Sequence, residues 1–263
     1  MASERDGTLR SGGPQANEIP RASDTSSWHT SRLCVVIPAF NEEHTVGDVV
    51  SSVYQAVPGA CVIVVNDGST DETAERATAA GATVISLCFN LGVGGAVQSG
   101  YLYALRHHLE ICVQIDGDGQ HDPADVPRLV EPLLAGLADM VVGSRWLGRG
   151  EYQAPRSRRI GMKILAALVH WRIKTPVTDP TSGFRAVGRR GIALFAGRYP
   201  TDYPEVESLL LATAHGLRVH ETPVRMHPRT FGYSSIRGLR SAYYMARVGM
   251  AVIVNPASRE KDS

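Results

Sequence analysis

Two aspartates separated by one residue follow an apolar segment near the middle of the chain. Asp116 and Asp118 come directly after Ile111–Ile115, and the glycine after each aspartate frees the backbone to turn both carboxylates toward one point. Mg²⁺ prefers oxygen ligands and commonly binds through one or two carboxylates together with substrate phosphates. The next two side chains, Gln120 and His121, offer an amide oxygen or an imidazole as a further ligand. The segment therefore predicts a divalent-cation site, although an Asp-x-Asp pair also occurs as a plain solvated turn.

A third acidic residue, Asp67, follows another apolar segment, Cys61–Val65. A fixed carboxylate at the end of a strand can accept hydrogen bonds from a base N–H or a ribose hydroxyl, as in other nucleotide-binding α/β sheets. Asn, Asp and Gly also favour a strand-to-helix turn by themselves. The segment is thus consistent with a nucleoside contact at Asp67 or with an ordinary turn.

A glycine-rich loop begins at Asn90, and its first glycine is Gly92. It does not match the dinucleotide-binding fingerprint, because Val97 stands at the third glycine position and the loop follows the third predicted strand instead of the first. The loop leads into a predicted helix, Ala96–Leu109, and the N-terminus of a helix attracts anions. We expect the loop to face a sugar or a phosphate; an ordinary helix-start turn is the alternative.

Charge is distributed unevenly along the 263 residues, although the formal net charge is only +1. Residues 1–144 carry 7 Lys and Arg against 18 Asp and Glu, whereas residues 145–263 carry 20 against 8. A basic half suits phosphates, nucleic acid or a membrane surface, although solvated surface alone can produce such a difference. Several arginines lie between Arg145 and Arg159, and the forked guanidinium group of arginine suits diphosphate oxygens. Aromatic residues do not alternate with these arginines, so single-stranded nucleic acid is not an expected ligand.

Short apolar segments alternate with segments of helical periodicity from residue 33 onward. The predicted strands are Leu33–Ile37, Cys61–Val65, Ala82–Leu87, Ile111–Ile115 and Met140–Val142. Continuous apolar strands separated by helices are typical of a parallel sheet that is covered on both faces. Ligands of such sheets bind at the carboxyl ends of the strands, where the polar segments described above would meet. The less regular second half predicts helices near Arg158–Trp171 and Glu205–His215 and strands near Gly183–Val187 and Arg218–Val224.

Two segments combine apolar, aromatic and basic side chains in a way that suits a membrane surface. They are Ile160–Trp171 and Leu239–Val254. Basic amphipathic helices with aromatic residues bind at the membrane interface, although core helices can have a similar composition. No run of about 18 apolar residues is present, so docking onto a membrane is expected and insertion through it is not.

The cysteines and the N-terminal segment indicate in which cellular compartment the protein is expected. Cys34, Cys61, Cys88 and Cys112 lie in or beside apolar segments, and no two have the spacing of metal ligands. This pattern predicts four buried, reduced thiols and hence a cytosolic environment. Residues 1–31 have no apolar signal core and no hydrophobic period, which predicts a disordered tail and no export.

Five short motifs follow one another along the chain. They are Pro38-Ala39-Phe40-Asn41-Glu42-Glu43, Val64-Val65-Asn66-Asp67-Gly68-Ser69-Thr70-Asp71, Asp116-Gly117-Asp118-Gly119-Gln120-His121, Gly143-Ser144-Arg145 and Asp179-Pro180-Thr181-Ser182-Gly183-Phe184-Arg185. In this order they resemble glycosyltransferase family 2, specifically the branch of dolichyl-phosphate mannose synthases and polyprenyl-phosphate glycosyltransferases. The resemblance runs from about residue 33 to about residue 236. Each motif alone is unspecific, whereas the combination is highly specific.

The resemblance implies an α/β domain of the GT-A (Rossmann-like) fold at residues 32–236, with a mostly parallel sheet and helices on both faces. After it, residues 237–263 would form an amphipathic helix and tail facing a membrane or a partner. The implied reaction is an inverting transfer from a nucleotide sugar to a polyprenyl phosphate of the dolichyl type. The donor would be GDP-mannose or a UDP-hexose or UDP-N-acetylhexosamine, and the cofactor Mg²⁺ or Mn²⁺. Such an acceptor phosphate is already an anion, so it needs no strong general base.

The resemblance also implies site residues, carried over position by position. The nucleotide sugar would contact Pro38, Phe40, Glu42, Asp67, Asn90, Gly92 and Asp116, and the metal would be held by Asp116, Asp118 and Gln120. Phosphates would be bound by Arg145, Arg158 and Arg229, and the residues expected to be catalytic are Asp118, Arg145 and Arg229. Two positions depart from the family pattern: Asn66 replaces a frequent Asp, and Ser235 replaces the usual Lys, which removes a cation near the phosphates.

Other functions are left open by the sequence. A family 2 glycosyltransferase could use a soluble saccharide, a small molecule or a protein as acceptor, and would then work without lipid. A non-catalytic nucleotide-binding protein or scaffold is a third reading, against which the intact Asp116 and Asp118 argue. Nucleic acid is not an expected partner, because the acidic half would repel phosphates. We expect a peripheral protein at the cytoplasmic face of a membrane, docked directly or through a separate membrane protein.

Overall fold

Strands and helices alternate along a computed structural model that describes residues 32–147, 156–227, 247–250 and 252–253. The strands are β1 Leu33–Ala39, β2 Cys61–Asn66, β3 Thr83–Ser86, β4 Ile111–Gln114, β5 Met140–Ser144, β6 Arg185–Gly188 and β7 Val219–Pro223. The helices are α1 Val46–Ala56, α2 Thr73–Ala79, α3 Gly92–Arg106, α4 Val126–Leu134, α5 Arg156–Ile173, α6 Arg189–Gly197 and α7 Pro204–Ala214. A short 3₁₀ helix, Pro123–Asp125, leads into α4 after the N-cap Asp122.

The described strands form one seven-stranded sheet in the order β3-β2-β1-β4-β6-β5-β7. Neighbouring strands are parallel except at β6, which runs antiparallel to β4 and β5. The chain extends from β1 to one side and from β4 to the other, and such a switch point opens a crevice at the carboxyl ends of the strands. Because β6 is antiparallel, its first residue, Arg185, pairs with Gln114 of β4 and Val142 of β5. The loop that precedes β6 therefore arrives at this same carboxyl edge.

Helices cover both faces of the sheet, and each face has its own apolar core. One core joins the sheet to α1, α2 and α4 through side chains such as Val53 and Leu129. The other joins it to α3, α5, α6 and α7 through side chains such as Phe195. Val35 and Val36 of β1 point into opposite cores, which explains why this strand is apolar without alternation. Each such side chain stabilises the fold by about 1.5–3 kcal/mol when fully buried.

The predicted architecture is confirmed: a mostly parallel α/β sheet with helices on both faces. The seven predicted strands are present, with ends that differ from the prediction by no more than two residues. Helix α3 starts at Gly92, four residues before the predicted Ala96, so the glycine-rich segment is the first turn of the helix. Helix α6 was not predicted.

The two predicted terminal segments lie largely outside the described residues. Nothing is described for the tail at residues 1–31. Of the amphipathic helix expected at residues 237–263, residues 247–250 and 252–253 are described, and they are helical. Val248 and Val252 are buried in the core beside α5. The remainder of that helix, and with it the boundary at residue 236, stays a prediction.

The cysteines are free, but their burial was predicted only in part. Cys34 and Cys112 are buried in neighbouring strands, as expected. Cys61 is only partly buried, because it opens its strand at the rim of the sheet. The prediction was wrong for Cys88, which is exposed because β3 ends at Ser86 and leaves this side chain in the following loop.

Candidate active site

Short hydrogen bonds draw the carboxyl ends of β1, β2 and β4 together. The Asp67 N–H donates to the Ala39 carbonyl at 2.9 Å. The buried Thr45 hydroxyl, at the start of α1, donates to the Gly117 carbonyl at 2.7 Å. Pro38 lies in β1 opposite Val65 of β2. The predicted residues that follow these three strands therefore share one edge of the sheet, as the parallel topology requires.

The loop after β4 is fixed by its own side chains. Asp118 is 9% exposed, and its Oδ1 accepts a hydrogen bond from the Gln120 N–H at 3.0 Å. The Asp116 N–H donates to Nδ1 of buried His121 at 3.1 Å, and Nε2 of the same ring lies 3.8 Å from Asp116 Oδ2. The His121 ring stacks on Phe184, with centroids 4.9 Å apart. These contacts fix the backbone around both aspartates and leave the Asp116 side chain 36% exposed.

The oxygen donors of this loop are of the chemical kind that a divalent cation shared with a substrate would need. Gly183 lies against the Asp116 carboxylate so closely that a Cβ there would be 3.0 Å from both carboxylate oxygens. No three His, Cys, Asp or Glu side chains of the described residues converge as a complete metal site. Asp116, Asp118 and the Gln120 amide oxygen would leave part of the coordination sphere to water and phosphate oxygens. That division is usual for protein-bound Mg²⁺.

Asp67 contacts the start of α3. Its buried Oδ1 accepts the Leu91 N–H at 2.7 Å, and Asn90 Oδ1 accepts the Gly92 N–H at 2.9 Å. These side chains occupy two N–H groups of the segment that was expected to face a sugar or a phosphate. Gly94 is required by packing, because a Cβ there would lie 2.3 Å from the Pro200 carbonyl oxygen. The role of Asn90 and Gly92 in donor binding stays a prediction.

The loop after β1 is braced by the loop after β2. The Asn41 N–H donates to Ser69 Oγ at 3.0 Å, and the Thr70 N–H donates to Asn41 Oδ1 at 2.9 Å. Asn41 has a φ of +54°, which Asn tolerates better than most residues. Glu42 is partly buried, and its N–H donates to Thr73 Oγ1 at 2.9 Å. The Phe40 side chain is 46% exposed, so its ring is accessible to a ligand.

Arg145, immediately after β5, is held in an almost buried ion pair with Asp179. Its Nε and Nη2 donate to the two carboxylate oxygens of Asp179, each at 2.6 Å. Its backbone N–H donates to Asp179 Oδ2 at 3.1 Å, and Nη2 also donates to Thr181 Oγ1 at 2.9 Å. The Asp179 side chain is 0% exposed and that of Arg145 is 10% exposed. A bidentate pair of this kind fixes the plane of the guanidinium as well as its position.

A second buried arginine, Arg185, supports the loop that leads into β6. It donates from Nε to the Ser182 carbonyl at 2.6 Å and from Nη2 to the Pro180 carbonyl at 2.9 Å. Burial raises the pKa of the nearby Glu205 carboxyl; the charge of Arg185 opposes this shift, and the charge of Asp116 adds to it. Glu205 is therefore within electrostatic reach of the site, a role that its place in the sequence did not indicate.

The three arginines predicted to bind phosphate are not all described in the structure. Arg145 lies at the carboxyl edge with the paired aspartates, whereas Arg229 lies outside the described residues. Arg158 belongs to α5, but its side chain is not among those described. The departure at Ser235 also lies outside the described part of the chain. Glu221 of β7 accepts hydrogen bonds from the Thr178 and Asp179 N–H groups next to the ion pair of Arg145, and its only signal in the sequence was a carboxylate in the middle of a predicted strand.

Comparison with known proteins identifies the family. Residues 34–194, more than half of the chain, match the family model described as glycosyl transferase family 2. The undecaprenyl-phosphate mannosyltransferase of Micrococcus luteus is 31% identical over 218 residues, which cover 79% of this chain and 88% of the relative. The polyprenol monophosphomannose synthase of Mycolicibacterium smegmatis is 29% identical over 219 residues, which cover 80% and 82%.

Solved structures share the same architecture. Glucosyl-3-phosphoglycerate synthase from Mycobacterium tuberculosis, in complex with Mn²⁺, uridine diphosphate and phosphoglyceric acid, matches with a TM-score of 0.64 and 27% identity. The match covers 88% of this chain and 80% of that chain. A crystal structure of the same synthase with Mg²⁺ and uridine diphosphate matches with a TM-score of 0.61 and 28% identity, over 85% and 78% of the two chains. The fold is therefore GT-A, and this chain belongs to glycosyl transferase family 2 and is a glycosyltransferase.

Proposed function

We propose that this enzyme transfers a sugar from a nucleotide sugar to a polyprenyl phosphate at a membrane surface. The observation that carries the proposal is an apolar groove beside the Arg145–Asp179 ion pair. The groove has a volume of about 450 Å³ and lies between α5 and residues 176–178. Trp146, which follows Arg145, and Thr178, which precedes Asp179, both line it. A phosphate bound near Arg145 could therefore extend its substituent directly into the groove.

The lining of the groove suits the first units of an isoprenoid chain. Its apolar side chains include Met162 and Val177, which are buried, and Ala166, which is partly buried. Its basic side chains Arg159 and Lys163 are exposed. Apolar surface of this kind favours a hydrocarbon chain, and the cations favour an anionic head group.

Helix α5 exposes an apolar stripe beside the groove. Ile160, Ile164 and Trp171 are 60%, 65% and 59% exposed and lie on one side of the helix, given its period of 3.6 residues. Met250 and Ile253 of the C-terminal segment are 62% and 59% exposed. Within the described ranges, no helix has the length and apolar character needed to span a bilayer. The stripe supports peripheral docking, directly or through a separate membrane protein; the cytoplasmic face is the side expected from the sequence.

The proposed reaction needs orientation more than proton transfer. An oxygen of the acceptor phosphate attacks the anomeric carbon, the bond to the nucleoside diphosphate breaks, and the configuration inverts. Mg²⁺ or Mn²⁺ held by Asp116, Asp118 and Gln120 would neutralise the charge that develops on the leaving group. Pro38, Phe40, Glu42 and Asp67 would hold the nucleoside, and Arg145, with Arg158 and Arg229, would hold phosphates. The donor would be GDP-mannose or a UDP-hexose or UDP-N-acetylhexosamine.

A soluble phosphorylated acceptor is the second candidate. The solved structures matched above belong to a synthase whose complex holds phosphoglyceric acid, a small soluble phosphate. Such an acceptor would also be an anion, which the cations near Arg145 could bind. It would not need the apolar groove or the exposed stripe on α5.

Filling the groove tests the acceptor class. Ala167 is an exposed residue of α5 that lines the groove, so Ala167→Trp should obstruct a lipid chain without disturbing the core. We expect the KM for a polyprenyl phosphate to rise about tenfold and the KM for the nucleotide sugar to change less than about twofold. Ala79→Trp, at an exposed position of α2, is the control. Equal lipid KM values for the two variants would contradict a lipid chain in the groove.

Removing the stripe tests membrane docking. Ile164→Ser and Trp171→Ser should each weaken sedimentation with anionic vesicles about tenfold, because each removes apolar area that would enter the interface. Leu134→Ser and Leu137→Ser are matched controls, since these side chains are 51% and 68% exposed elsewhere on the surface. Unchanged vesicle binding by the stripe variants would contradict direct docking through α5.

A further inference from the structure

One carboxylate in β7 holds the turn that carries Asp179. Glu221 accepts the Thr178 N–H at Oε2, 2.7 Å away, and the Asp179 N–H at Oε1, 2.8 Å away. Both carboxylate oxygens are therefore used on two successive peptide groups. This arrangement fixes the position of the turn and also its orientation.

The same carboxylate is linked to Arg145 through a short chain of contacts. Glu221 pairs with Val142 of β5, three residues before Arg145. The turn that it holds sends the Thr178 hydroxyl to Ser144 Oγ at 2.7 Å and the Asp179 carboxylate to Arg145. A displacement of the turn would therefore move both carboxylate oxygens of Asp179, which orient the Arg145 guanidinium.

The strand itself does not require this side chain. The pairing of β7 with β5 runs through the backbone, and Glu is among the residues depleted in strands, where β-branched side chains pack better. A partly buried carboxylate is costly unless it is hydrogen-bonded. Burial raises the pKa of the Glu221 carboxyl, while the hydrogen bonds from the Thr178 and Asp179 N–H groups lower it. The hydrogen bonds that offset the free-energy cost of burying this carboxylate all come from the turn beside the site.

We propose that Glu221 is a positioning residue, which orients Arg145 for phosphate binding by holding the Thr178–Asp179 turn. The inference rests on the proposed function, because that function gives Arg145 its phosphate. Glu221 would touch neither donor nor acceptor. Its effect would pass through Asp179 to the guanidinium.

Glu221→Gln is the most informative variant. Glutamine keeps the volume and one acceptor, but its NH₂ group would face the second peptide N–H as donor against donor. We expect kcat/KM for the polyprenyl phosphate to fall about 10- to 100-fold, the size of effect seen when a supporting residue is lost or a group is displaced by about 1 Å. His220→Gln, at the exposed neighbouring position of β7, should stay within about twofold of the wild type.

A double-mutant cycle separates positioning from general structural support. In an Arg145→Lys background the bidentate pair is already lost, so Glu221→Gln should add less than about twofold to the loss. A full multiplicative loss in that background would overturn the proposal.

A spectroscopic readout keeps the test independent of the acceptor. The Nε–H signal of Arg145 in ¹⁵N-resolved NMR should shift or broaden in Glu221→Gln and stay in place in His220→Gln. An unchanged Arg145 signal in Glu221→Gln would overturn the inference, whatever the substrate. Failure of the wild type to glycosylate any lipid phosphate would instead count against the proposed function, and the NMR comparison would still decide the role of Glu221.

Discussion

Asp118→Asn is expected to lower kcat/KM for sugar transfer about 100- to 1000-fold without unfolding the protein, the size of effect typical for loss of one electrostatic contact to the transition state. The side chain is nearly buried, and its Oδ1 accepts the Gln120 N–H. Asparagine keeps an oxygen for that bond and removes the charge that would bind the metal. The loss should therefore appear in turnover and in Mn²⁺-dependent nucleotide binding, while the circular dichroism spectrum and thermal midpoint stay close to those of the wild type.

Asp48→Asn is the matched control for this substitution. Asp48 is an exposed aspartate of α1, and removal of its charge should leave turnover within about twofold. Wild-type turnover in Asp118→Asn would contradict a metal role for this residue. It would also remove the main argument for placing the donor diphosphate at the loop after β4.

Asp179→Ala is expected to lower the free energy of unfolding by about 3–5 kcal/mol, because it leaves the Arg145 guanidinium without its buried partner. Sugar transfer should be lost as well, since Arg145 would no longer be oriented toward a phosphate. Urea denaturation of wild type and variant measures the first effect, and kcat/KM measures the second.

Two further variants separate the effect on stability from the effect on activity. Glu72→Ala breaks an exposed ion pair with Arg76 and should cost only about 0.3–0.5 kcal/mol. The double variant Asp179→Leu/Arg145→Met replaces the buried pair with apolar side chains and should regain much of the stability but none of the activity. A fully active double variant would show that Arg145 does not bind a phosphate.

The sheet could be predicted because its strands are continuous apolar segments. A short continuous apolar segment such as the one around Val35 and Val36 favours a strand that is covered on both faces, and in the structure the two side chains do enter opposite cores. The parallel order then places Asp67, Asp116 and Asp118 at one edge, whatever the details of the loops. This part of the site follows from topology alone.

The start of α3 could not be predicted, because its glycines serve long-range packing. Gly94 leaves room for the Pro200 carbonyl. This neighbour is distant in sequence, so the glycine-rich segment is locally indistinguishable from a loop. Helix α6 was missed for a related reason: it is short, begins and ends near glycines, and depends on burial of Ile192 and Phe195.

The contacts of the side chains around the site could not be predicted from the sequence either. Glu221 acts on a turn more than forty residues earlier, and Arg145 meets Asp179 across 34 residues. Hydrogen bonds of this kind have no local spacing rule. They become visible only when β5, β6 and β7 are placed side by side.

A transfer assay decides whether the acceptor is a polyprenyl phosphate. The full chain is incubated with Mn²⁺, a short polyprenyl phosphate and a panel of UDP- and GDP-sugars, and lipid products are identified by mass spectrometry. We expect a new glycolipid from one donor, which disappears when EDTA is added. If nucleotide binding is intact but no donor yields a lipid product, and a soluble phosphate such as 3-phosphoglycerate is glycosylated instead, the acceptor is not a polyprenyl phosphate.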